Sequence, residues 1–139
     1  MRQQVFIFLF CVLGVLSSAA QPPQKFSPEK FQADMEQFIT QEANLTPQES
    51  AAFFPLFREM QNKQRGLFNR LRHLSKIKPV DDRGCRKVID QMDDLEIQLK
   101  QIEQNYHVRF YKILPPSKVF DVISAEHNFH FRALRGCRH

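Results

Sequence analysis

Apolar side chains recur along this chain at intervals of three and four residues, the period of helices that each bury one face. Phe31, Met35, Phe38 and Ile39 mark a first helix over about 28–43, opened by Ser27-Pro28-Glu29. Phe53, Phe57, Met60, Leu67, Leu71 and Leu74 mark a long second one over about 47–76. The third, about 82–113, has the cleanest stripe: Val88, Met92, Leu95, Leu99, Ile102, Tyr106, Phe110 and Ile113. A fourth, about 117–136, carries Phe120, Ile123, Phe131 and Leu134 on one face. Lys76–Gly84 and Leu114–Ser117 interrupt the pattern, the second through two prolines that cannot continue a helical hydrogen-bond ladder. No alternating strand pattern occurs. The expected fold is all-α, three to four helices in extended antiparallel hairpins.

Local chemistry fixes the start of the second helix. In Leu45-Thr46-Pro47-Gln48-Glu49, Thr46 suits the N-cap, Pro47 the first helical position and Glu49 the third, a capping box. Pro55 then falls inside the same helix among Phe53, Phe54, Leu56 and Phe57, which predicts a bend. Phe53 and Phe54 project about 100° apart on a helix. Phe53 and Phe57 fit the core, and Phe54 fits either the core or an open groove. With Arg58, Lys63, Arg65, Arg70 and Arg72 around them, these phenylalanines form a candidate surface for loose capture of unfolded, acidic polypeptide. The Asn44-Leu45-Thr46 triplet also matches a glycosylation acceptor, but the capping role of Thr46 accounts for it.

The N-terminus changes the compartment. Met1–Gln4 carry one positive charge, Val5–Leu16 are almost wholly apolar, and Ser17-Ser18-Ala19-Ala20 supply small residues for cleavage. Residues 1–20 therefore read as a secretory signal peptide, and 21–139 as one exported helical domain. Removing the leader takes Arg2 with it and leaves a net charge of +4, interspersed with acids. Nucleic-acid binders show a cleaner basic stripe, so nucleic acid is not an expected partner. Thin helices with one stripe each bury little in a single copy, which argues for a homodimer.

Enzyme signatures are missing: there is no Gly-rich phosphate loop, no Gly-x-Ser-x-Gly elbow and no His-Glu-x-x-His helix. Asp81/Asp82 and Asp93/Asp94 are adjacent on a helix and diverge, so they make no acid–base pair. The chain is read as a binding protein that requires no cofactor. His127 and His130, three apart on one helical side, are the candidate ligands for a divalent transition metal, with Glu126, Cys137 and His139 near in sequence. A histidine at a helix seam that merely hydrogen-bonds is the plain alternative. Cys85 and Cys137 are the candidate disulfide partners in an oxidising compartment. Hairpin arms of unequal length leave about 10 Å between them along the axis, so a bridge requires bent ends. Free thiols and an intersubunit bridge stay open beside it.

The leader, the small helical domain and the Leu45-Thr46 opening of a long helix together resemble the Spy-like, LTxxQ-motif periplasmic family. Glu49 stands in place of the motif's final Gln, and Leu114-Pro115-Pro116-Ser117-Lys118 lies where a second motif belongs, keeping only its Leu. The segment from Leu45 to Leu67 also looks like a heavy-metal-sensor branch with a proline after aromatic residues and a Leu-Pro-Pro turn before the last helix. The resemblance implies a curved dimer with a concave face. It implies ATP-independent chaperone activity toward partly folded proteins in the periplasm. The alternatives it implies are a metal sensor, or a regulator docking on a membrane-bound sensor or anti-sigma protein.

Overall fold

Three of the four helices begin where the sequence supplies a cap. The computed structural model describes residues 25–136, and in them the chain forms α1 (Pro28–Glu42), α2 (Pro47–Leu74), α3 (Asp82–Phe110) and α4 (Pro116–Gly136). No strand occurs among the described residues. The leader expected over residues 1–20 lies outside them. Ser27, Thr46 and Asp81 cap α1, α2 and α3, each side chain accepting the backbone N–H three residues on. At Thr46 the box closes in both directions, with Glu49 N–H donating to the hydroxyl at 3.1 Å and Thr46 N–H to the Glu49 carboxylate at 2.8 Å. The ends of α1, α2 and α3 fall one to three residues short of the expected ones, and α4 ends where expected.

The turn between α1 and α2 is decided by Asn44, whose φ of 47° is left-handed. Its N–H donates to the Gln41 carbonyl at 3.3 Å and the Leu45 N–H to that of Thr40 at 3.0 Å. This is a Schellman closure with asparagine in the position where glycine is usual. Leu45 is buried behind it. The Asn44-Leu45-Thr46 triplet is therefore one continuous stop-and-start signal.

α2 remains one helix through Pro55. Proline deprives the Ala51 carbonyl of its helical donor, but Ala51 and Pro55 lie on the exposed side, where a carbonyl is accessible to solvent. The inner side is left to Phe53, Phe54 and Phe57, which are 0%, 7% and 1% exposed. Phe53 sits at their centre, 4.9 Å from the Phe110 ring edge to face and 5.4 Å from the Phe57 ring, stacked.

Two helix pairs share this core. α2 packs on α3 as an antiparallel hairpin, and α1 packs on α4. Met35 and Ile39 of α1 and Val119, Val122 and Ala125 of α4 close over the phenylalanines. The α4 stripe read from the sequence is not the side that this core covers. Phe120, Phe131 and Leu134 are 70%, 63% and 67% exposed, and only Ile123 of that set packs against the core. The face turned inward carries smaller side chains, which let α4 approach α1 closely. Phe129 then reaches the rings of Phe31 at 5.1 Å and Phe38 at 5.7 Å.

Lys118 joins the start of α4 to the turn before α2. Its ammonium donates to the Asn44 carbonyl at 3.1 Å and to the Glu49 carboxylate at 2.5 Å. The start of α4 is thus clipped to the capping box of α2.

Candidate functional site

α2 and α3 run 28 and 29 residues, whereas α1 and α4 run 15 and 21. Where the shared core ends, a groove of about 880 Å³ opens between the two pairs, lined from all four helices. Met60 and Leu71 of α2, Met92 of α3 and Ile123 of α4 give it an apolar surface. Arg65, Arg72 and Lys100 bring cations to it, and Gln32, Gln61 and Gln64 bring amides. Gln32 donates to Gln61 at 3.1 Å, tying α1 to α2.

Three titratable groups of the groove, Glu126, His130 and His107, are shifted by burial toward their neutral forms. Glu126 is 23% exposed, and the His130 ring stands 3.9 Å from its carboxylate, beyond hydrogen-bond length. Burial, reinforced by the Glu103 carboxylate across on α3, pushes the Glu126 carboxyl up to about 7. Burial also lowers His130, with His127 adding repulsion. His107 is lowered by burial as well, against the pull of Glu103. Glu103 itself takes hydrogen bonds from Lys100 at 2.5 Å and Gln64 at 3.4 Å. The wall thus combines the cations Arg65, Arg72 and Lys100 with a carboxyl and two imidazoles that burial biases toward their neutral forms.

The sequence-derived candidates are redistributed by the fold. Phe53, Phe54 and Phe57 belong to the core and offer no capture surface. Arg58 is held in a two-pronged pair by the Glu36 carboxylate, at 2.6 and 2.5 Å. Arg65 reaches the groove, whereas Arg70 lines a separate crevice of about 350 Å³ near the far end of the hairpin. The aromatic-plus-arginine patch around Pro55 is therefore not one surface, because inward packing took its phenylalanines.

His127 and His130 both line the groove. Among the described residues no three of His, Cys, Asp and Glu converge on a position for a metal ion. Cys85 is half-buried and its thiol donates to the Pro79 carbonyl at 3.6 Å; Cys137 and His139 lie outside the described residues.

Reading by stripes missed Gln64 and Glu103. Gln64 is only 5% exposed, four residues after Met60 and seven before Leu71. A polar residue in register with an apolar stripe was the available signal. Another polar cluster, at Glu59, is structural. Tyr106 donates to its carboxylate at 2.6 Å and Arg109 at 3.0 and 3.3 Å, zipping α2 to α3. Arg109 and then Tyr106 hold that carboxyl down at about 2.

No family model, no characterised protein and no solved structure matches this chain.

Proposed function

We propose that this protein is a chaperone-like binding protein that holds a segment of partly unfolded polypeptide in the groove between its helix pairs, without nucleotide. One observation carries the reading: an open groove of about 880 Å³ with an apolar surface and a margin of amides, cations and carboxyl groups. Volumes of several hundred Å³ suit a side-chain-bearing segment. Methionines adapt to different apolar shapes, and glutamines hydrogen-bond as donors or acceptors, which suits varied clients. The apolar leader and the resemblance to the Spy-like family extend the reading to work in the periplasm.

Light scattering of a chemically denatured client, diluted with and without the protein, tests it. Suppression of aggregation is expected at a few-fold molar excess, weakened strongly by Met92→Asp and Ile123→Glu and unchanged by Phe120→Asp on the outer side of α4. Absence of suppression, or equal loss in all three variants, would overturn the assignment.

A further inference from the structure

The far end of the α2–α3 hairpin concentrates charge in a way that helix stability does not explain. Between Arg70 and Lys87 there are seven Lys or Arg and two Asp, net +5, which is the formal net charge of the whole chain. Arg70 and Arg72 lie near the C-terminus of α2, where the helix dipole favours cations. Lys76 and Lys78 lie in the connection. Arg83, Arg86 and Lys87, however, fall in the first two turns of α3, where the same dipole favours anions. None of these seven enters an ion pair among the described residues.

Apolar side chains stand out between these cations. Val80 is 106% exposed, Ile77 43% and Ile89 57%. The connection that presents them is tightly built. The Ile77 N–H donates to the Leu74 carbonyl at 3.0 Å, Asp81 caps α3, and the Cys85 thiol donates to the Pro79 carbonyl. Pro79 lies so close to Gly84 that a Cβ there would come within 2.7 Å of it. Val80 therefore projects from an ordered turn. Beside it, Asn69, Arg70, His73 and Gln91 line the 350 Å³ crevice, which contains no carboxylate.

We propose that this tip is a docking surface for an anionic phospholipid bilayer, with Ile77 and Val80 entering the interface and the surrounding Lys and Arg meeting headgroup phosphates. Charge complementarity gives the sign of the partner. The exposed aliphatic side chains favour lipid over a nucleic-acid backbone, which offers a valine nothing apolar to enter. No described helix is long and apolar enough to cross a membrane, so the contact is peripheral.

The chain has no tryptophan, so Val80→Trp gives a reporter confined to the tip. In the full-length chain, vesicles of phosphatidylglycerol and phosphatidylethanolamine are expected to shift its emission to the blue and shield it from acrylamide. Phosphatidylcholine vesicles should do neither. Adding Arg83→Glu, Arg86→Glu and Lys87→Glu should weaken the response at least about tenfold while helical circular dichroism is kept. Salt at about 0.5 M should weaken it too. A reporter that stays water-exposed with the anionic vesicles overturns the proposal. So does an equal response to both vesicle types. Binding of a short DNA duplex that matches the anionic vesicles in strength, with the tryptophan still wet, would overturn it in favour of a general polyanion surface.

Discussion

Where α1 turns into α2 and α3 into α4, Phe53 and Phe110 meet with ring centroids 4.9 Å apart, and Phe53 is fully buried. Toward the opposite end, Glu126 has no hydrogen-bonded partner among the described residues, and beyond it Val80 is wholly exposed. The first region has satisfied its apolar groups and its backbone through caps and a Schellman turn. The second holds groups whose environment is not the one they prefer in water. Stability should therefore be concentrated at the capped end, and responsiveness to pH or to a partner in the groove and at the tip. Local openings with low free energy belong where buried apolar contacts are few.

The sharpest way to break the comparison is to empty the capped end. Phe53→Ala should remove about 3–5 kcal/mol, as a ring deleted from a packed core leaves a cavity that does not collapse. Urea unfolding would measure it as a shift in midpoint. A loss below about 1 kcal/mol would mean that this end is not where stability resides.

An intermediate effect comes from the groove. The Glu126 carboxyl is raised from 4.5 to about 7, so the folded state favours its protonated form. Its contribution is present in full below pH 4.5 and is lost as pH rises through about 7, roughly 3 kcal/mol across that window. Glu126→Gln should flatten that part of the profile relative to the parent chain, as measured by denaturant midpoints at pH 5 to 8. Glu59 has the opposite sign. Its carboxyl is lowered to about 2, so its contribution is held above 4.5 and lost as pH falls toward about 2. The two groups thus act in separate pH windows.

The smallest effect isolates one cap. Thr46→Ala removes the acceptor for the Glu49 N–H and should cost about 1 kcal/mol, read from the thermal midpoint. Thr46→Ser should restore most of it.

Much of this fold is legible in the amino-acid sequence. Helix number, order and approximate bounds followed from the stripes, because a helix that buries one face must repeat its apolar residues every three or four positions. The start of α2 followed from Thr46, Pro47 and Glu49, because a capping box is made within four residues. The all-α class follows from these local facts alone. The site was less legible. The candidate capture surface was drawn around Phe53, Phe54 and Phe57, and it dissolved when all three went inward.

The amino-acid sequence by itself determined where the helices begin, to within three residues where they stop, and which residues share a side. Caps, prolines and Asn44 act over four or five residues, so no distant contact is needed to set them. Tertiary structure alone decided which side of α4 is covered. Its Phe120–Phe131–Leu134 side is the more apolar by residue type, yet Val119, Val122 and Ala125 face the core. The physical reason is packing. Small side chains admit a close neighbour, and α1 occupies that neighbour's place. The same decision brought Glu126 of α4 into a groove with Glu103 of α3, residues whose approach no spacing along the chain records.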